Sequence, residues 1–225
     1  MKRILIVAAH PDDEVLGCFG TVARLISEGY EAYTLILGEG ITSRADKRNP
    51  KLHQEALETL HRNIHEANNS IGIKKVFIEN FPDNRFDSVD LLDIIKVITS
   101  IKEEIQPQII FTHYPHDLNI DHQITYQAVL TATRPMSNEC VREIYAFEVL
   151  SSTEWNYPLS FSPDLYYDIT NTLPLKVKAM EHYHGELRDF PHPRSLEGIE
   201  LVATYWGMRT GISKAEAFKT VRMLR

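Results

Sequence analysis

Ile4-Leu5-Ile6-Val7-Ala8-Ala9-His10-Pro11-Asp12-Asp13-Glu14 is the stretch on which the fold turns. An unbroken apolar run rich in Ile and Val has the character of a parallel strand covered on both faces, and Pro11 closes it. From Val15 the apolar residues recur at Val15, Leu16, Phe19, Val22 and Ile26, a helical period stopped by Gly29. One imidazole and three carboxylates therefore sit at a strand-to-helix turn. In open α/β sheets that turn lies at the carboxyl end of the strand, where ligands bind.

Two acidic side chains in one tight turn repel each other, and a divalent cation relieves the repulsion. Imidazole nitrogen plus carboxylate oxygen suits zinc, which keeps an open position in catalytic sites beside three protein ligands. Adjacent aspartates point in different directions, so one can bind metal while its neighbour stays free as a base. Two competing readings are a pair of acids that merely caps the helix and a phospho-acceptor receiver domain. Capping explains neither the histidine nor the pairing, and the chain is much longer than a receiver domain.

The hexapeptide Ala9-His10-Pro11-Asp12-Asp13-Glu14 resembles the signature of the LmbE-like, or PIG-L, family of zinc-dependent N-deacetylases acting on acetylated sugars. The family's second element, an Asp-His pair after a later strand, is matched by Asp121-His122. The resemblance implies a three-layer, Rossmann-like α/β sandwich with a mostly parallel sheet and the active site at the carboxyl ends of its strands. It also implies a metal held by His10, Asp13 and His122, with Asp12 as general base. Zinc is the expected cofactor and Fe2+ the alternative. Many members carry a His three residues before the metal-binding His, where this chain has Asn119. Asn donates a hydrogen bond to an oxyanion but does not shuttle a proton, which leaves the general acid to Asp12 itself or to His116. Arg62 is the nearest match to an Arg that reaches the active site in the family. The stretch Phe81 to Asp87 resembles the family's turn near the substrate, which makes Asp83 and Arg85 candidate substrate residues.

Composition bounds the function. With 225 residues and 43% hydrophobic content, the chain suffices for one compact domain spanning residues 1–225. A net charge of -7 argues against a nucleic-acid partner. No apolar run reaches membrane-spanning length, and no charged-apolar-small leader pattern precedes the first strand, so a cytoplasmic protein without a membrane span is expected. Cys18 and Cys140 lack a CxxC neighbour and read as small core residues.

In chain order, strands are expected at Ala32–Leu37, Lys75–Ile78, Gln108–His113, Ile144–Leu150 and Asp164–Ile169. Helices are expected at Leu52–Ile71, Asp90–Ile105, Ile124 to about Thr133, Leu173–Leu187, Leu196–Met208 and Gly211–Leu224, the last as a possible contact in a homo-oligomer. Residues 43–50 read as a lid or substrate loop, or as a solvated connection. Arg134 ends a helix, as a stabiliser of that end or as a clamp for an anionic group. Arg44, Arg48, Arg85, Arg134 and Arg194 all fall in loops or at element ends. They suggest an acetylated sugar with a negative group, such as a nucleotide sugar, unless they pair with the chain's own acids. The alternative to a hydrolase is a non-catalytic doubly wound module that binds a nucleotide or sugar, though the chain lacks a Gly-x-Gly-x-x-Gly turn.

Overall fold

The computed structural model describes the backbone of residues 2–44 and 50–225 and the side chains of 2–43 and 52–225. The elements are β1 (Arg3–Ala8), α1 (Asp13–Ser27), β2 (Glu31–Gly38), α2 (Gln54–Ile71), β3 (Lys75–Phe81), α3 (Leu91–Ile105) and β4 (Ile109–His113). They continue with α4 (Ile120–Ala132), β5 (Glu143–Phe147), β6 (Leu165–Asp168), α5 (Leu173–Glu181), α6 (Leu196–Thr210) and β7 (Ala215–Met223). The strands form one sheet in the order β3-β2-β1-β4-β5-β7-β6. The first five are parallel, and β7 runs antiparallel to both β5 and β6.

β1 shows why its sequence is apolar throughout. Ile4, Ile6 and Ala8 enter the core on the face covered by α1, α2, α5 and α6, whereas Leu5, Val7 and Ala9 enter the core under α3 and α4. Period-two alternation thus feeds two cores at once, and a central strand has no polar face to spare. The order reverses at β1, with β2 on one side and β4 on the other. A crevice opens outside the carboxyl ends of these strands, as the switch-point rule requires.

The expected last helix, Gly211–Leu224, is instead the strand β7. Ala, Glu and Lys in 214–217 favour helix locally, but the slot between β5 and β6 outweighs that preference. Glu216 fixes the outcome, because its buried carboxylate accepts the Gly20 and Thr21 backbone N–H groups at 3.0 and 2.6 Å and the Lys176 ammonium at 2.6 Å. The helix expected to reach Leu187 stops at Glu181, and Tyr183 turns inward. α4 starts at Ile120 rather than Ile124, which puts His122 in its first turn. Both cysteines are free thiols. Among the described residues no helix is long and apolar enough to cross a membrane.

Candidate active site

The site is assembled at the ends of β1 and β4. After β1 the backbone N–H of Ala9 donates to His113 Nε2 at 2.8 Å, joining the two strand ends. Asp12 then takes a left-handed conformation, φ 94°, which a non-glycine residue adopts only under constraint. That kink sends Asp12 and Asp13 in different directions. Asp13 Oδ2 accepts the His10 backbone N–H at 2.8 Å and lies between two imidazoles, 3.4 Å from His10 Nδ1 and 3.3 Å from His122 Nε2.

His10, Asp13 and His122 offer three ligand atoms within 4.8 Å of one another, the one such cluster among the described residues. Bonds of about 2.0 Å in a tetrahedron put neighbouring ligand atoms about 3.3 Å apart, and both distances to Asp13 Oδ2 meet that value. Each imidazole is also braced from behind. His10 Nε2 is 3.0 Å from Asp121 Oδ2, and the other oxygen of Asp121 accepts the Phe86 backbone N–H at 2.9 Å. His122 Nδ1 faces Asp117 Oδ1 at 3.1 Å, off the in-line direction of a hydrogen bond. Asp117 is itself held by Ser152, by Thr153 and by the Asn119 backbone N–H. A carboxylate behind each histidine fixes ring orientation and raises ligand basicity, the arrangement found around protein-bound metals. The donor set and its spacing therefore fit a small divalent ion such as zinc.

Electrostatics separates the two aspartates. Burial pushes the Asp12 carboxyl well above the ordinary range, against the pull of Arg194. Burial would raise Asp13 too, but His122, His10 and His113 together hold it well below that range. The two neighbouring carboxyls thus differ in proton affinity, Asp12 holding a proton more readily than an ordinary aspartate and Asp13 less. Burial disfavours charge on His10 and His122 as well, yet the surrounding carboxylates outweigh it and raise them to about 10 and about 9. Without metal, protons stand on both rings at neutral pH.

A pH dependence follows from these shifts. Folded values above the unfolded 6.5 stabilise the metal-free protein below pH 6.5, and that stabilisation is lost as pH rises through about 9 and about 10. A cation entering at pH 7 must expel both protons, so zinc binding is expected to release about two protons and to tighten by up to about a hundredfold per pH unit. Calorimetry in buffers of different ionisation enthalpy counts the protons. Release of less than about half a proton contradicts this ligand set.

The cleft over the cluster is lined by Asp12, Ser43, Asp83, Asn84, Asn119, Ser151, Glu186 and Arg194 among others. Asn119 caps α4, its Oδ1 accepting the Asp121 N–H at 2.8 Å, so the amide NH2 points the other way and donates to Asn84 Oδ1 at 2.8 Å. Asp83 accepts the Ser43 hydroxyl at 2.6 Å and lies 3.4 Å from His10 Nε2.

Four expected residues are placed elsewhere. His116 is exposed, its ring against Tyr114 rather than in the cleft. Arg62 lies on the outer face of α2, donating to Thr59, and Arg85 is exposed beyond the cleft. Arg134 follows the carboxyl end of α4, at the opposite edge of the sheet from the cluster, because α4 carries the chain back to the amino ends of the strands. Arg48 and the Arg44 side chain, with most of the expected lid at 43–50, lie outside the described residues.

Arg194 does enter the cleft. Its guanidinium meets Asp12 Oδ2 at 3.1 Å, Ser151 Oγ at 2.7 Å and Glu186 Oε2 at 3.6 Å, so it is committed to the chain's own acids. Its place in a loop left open a pairing with the chain's own acids, without indicating which one. Asp117 and His113 were also missed as parts of the site. Asp117 stands in the same His- and Asp-rich stretch after β4 as His122, the signal that could have found it.

A doubly wound α/β protein with a cluster of two imidazoles and one carboxylate that could hold a metal ion at its switch point is the class defined by this fold and site. The family model described as GlcNAc-PI de-N-acetylase, PIG-L, matches residues 5–133, and the chain belongs to that family. By family it is a deacetylase of amino-sugar conjugates. It is 25% identical over 187 residues to the Bacillus cereus protein named "Probable N-acetyl-alpha-D-glucosaminyl L-malate deacetylase 2", covering 82% of this chain and 84% of that one. The N,N'-diacetylchitobiose deacetylase of Pyrococcus horikoshii superposes with a TM-score of 0.78 at 20% identity, over 98% of this chain and 84% of that one. The 4-carboxy-2-hydroxymuconate hydratase of Pseudomonas putida does so with 0.77 at 21% identity, over 100% and 98%. At such identities the two structures show the shared fold alone, and a fold that also carries a hydratase does not choose the reaction.

Proposed function

We propose that the protein hydrolyses the N-acetyl group of an amino sugar or its conjugate, with His10, Asp13 and His122 holding a divalent metal, zinc or Fe2+, and Asp12 as general base. The observation that carries this is the divergence of the two aspartates, one inside the ligand cluster and the other beside it in the cleft. A metal at the cluster would supply the Lewis acidity that acidifies water and polarises an amide carbonyl.

The chain's own residues supply the rest. Asp12 takes a proton from the attacking water as the new carbon–oxygen bond forms. Its raised affinity for protons suits it to hold that proton until the carbon–nitrogen bond breaks. The proton then passes to the leaving amine, giving acetate and a free amino sugar. With His116 outside the cleft, Asp12 serves as both base and acid. The Asn119 amide oxygen is taken by the cap and one of its N–H groups by Asn84, and its second N–H donates to the oxyanion. Arg194 holds the Asp12 carboxylate in one rotamer and balances its charge before the proton arrives.

Among the arginines whose side chains are described, the cleft gives no support to an anionic substrate. Arg194 is the one arginine lining the cleft among the described residues, and its partners are Asp12 and Glu186. Asp83, Asn84 and Asn119 offer acceptors and donors suited to sugar hydroxyls. Zinc-loaded protein incubated with N-acetylglucosamine, N,N'-diacetylchitobiose and UDP-N-acetylglucosamine is expected to release acetate and primary amine in equal amounts from at least one. Acetate from none of them, or binding without turnover as a sugar-binding module would show, overturns the proposal.

A further inference from the structure

Glu14 is fully buried at the second residue of α1, and its three partners are all neutral donors. Oε2 accepts the Asp12 backbone N–H at 3.0 Å, and Oε1 accepts the Tyr183 hydroxyl at 2.6 Å and the Asn68 amide at 3.1 Å. A buried carboxylate without a cation partner is costly, so its place at a catalytic turn calls for a reason. The bond to Asp12 supplies one. It falls on the N–H of the one residue in the turn with a left-handed φ, and a peptide rotated there would otherwise lose its partner in a dry interior.

The acceptor is itself fixed by two side chains, one of them braced in turn. Thr34 on β2 donates to Asn68 Oδ1 at 2.7 Å, which settles the Asn68 amide so that its NH2 faces Glu14. Tyr183 comes from the turn after α5, the segment that also supplies Glu186 to the cleft. Helix α2, braced by strand β2, and the turn after α5 thus meet at one oxygen of the carboxyl group, whose other oxygen holds one peptide.

We propose that Glu14 is a positioning residue for catalysis: through the Asp12 N–H it holds the left-handed turn that keeps the Asp12 carboxylate out of the ligand cluster and over the cleft. This rests on Asp12 as the base. The role depends on an acceptor at the right reach, not on charge. Glu14→Gln loses the charge but keeps the reach and one acceptor oxygen for the Asp12 N–H, at the cost of turning an NH2 toward the Tyr183 hydroxyl, which can rotate to accept it, and the Asn68 amide. Glu14→Asp keeps the charge and is one methylene too short to serve Asp12 and Tyr183 together.

Crystal structures of zinc-loaded Glu14→Gln and Glu14→Asp, with acetate release from N,N'-diacetylchitobiose and UDP-N-acetylglucosamine, test this. Glu14→Gln is expected to keep φ of residue 12 near its wild-type value and kcat within about tenfold. Glu14→Asp is expected to move that φ out of the left-handed region and lose about a hundredfold in kcat, with KM and zinc content unchanged, the cost of misplacing a catalytic group by about 1 Å. An aspartate variant as active as the glutamine one, or an unchanged φ in it, overturns the proposal. Loss of fold or of zinc in both variants also does, by making Glu14 a core residue only. Asp12→Asn measured in parallel separates the two claims: full activity there removes Asp12 as base, while φ of residue 12 still reports what Glu14 holds.

Discussion

Asp12→Asn is expected to lower kcat by about 10³ while zinc content and KM stay within a few-fold of wild type, the loss typical of removing a general base. The substitution isolates chemistry from structure. Asn is among the few residues that tolerate left-handed backbone, so the turn at φ 94° survives, and its Oδ1 still accepts from Arg194. The Glu14 bond is to the backbone N–H and is untouched. What disappears is the proton acceptor. Metal analysis, a KM measurement and a melting curve on the same preparation check it, and a kcat within tenfold of wild type removes Asp12 from the base role.

The surroundings of Asp12 are completed from far along the chain. Arg194 lies 182 residues from Asp12, and Ser151 and Glu186, which also hold its guanidinium, likewise fall beyond residues 5–133, the stretch that matches the family model. The matched stretch carries the ligand cluster and both aspartates. The later stretch sets the field around Asp12, the proposed base, and one wall of the cleft, so sequence differences there are expected to alter substrate choice and rate without touching the proposed metal site.

This division explains what could be read in the sequence. β1 was legible because both its faces are buried, which leaves an uninterrupted apolar run, and His10 and Asp13 were legible because chemistry follows that run immediately. β7 was not, because Ala215, Glu216 and Ala217 favour helix locally and become a strand only through the slot between β5 and β6. Arg134 was misplaced for a geometric reason: a helix that starts at the site ends about 20 Å away after its 13 residues, on the far edge of the sheet. Arg194 could be suspected of meeting a carboxylate, but a partner so distant in the chain leaves no local pattern.

His122→Ala is expected to weaken zinc binding at least about a hundredfold, beyond the ten- to hundredfold usual for loss of an outer-shell partner. His122 enters from α4, whereas His10 and Asp13 come from the turn after β1, so its removal leaves two ligands on one short segment and opens the cluster on the α4 side. Asp117→Asn is the informative control. It keeps an acceptor behind the His122 ring and two oxygen-bearing neighbours in Ser152 and Thr153, but removes the charge that orients the ring and raises its basicity. Zinc affinity is therefore expected to fall in the order wild type, Asp117→Asn, His122→Ala, with activity following occupancy at limiting zinc. At saturating zinc Asp117→Asn is expected to recover most of its activity, and His122→Ala little. Competition with a chromogenic chelator gives the affinities, and a His122→Ala protein that binds zinc as tightly as wild type would remove His122 from the ligand set.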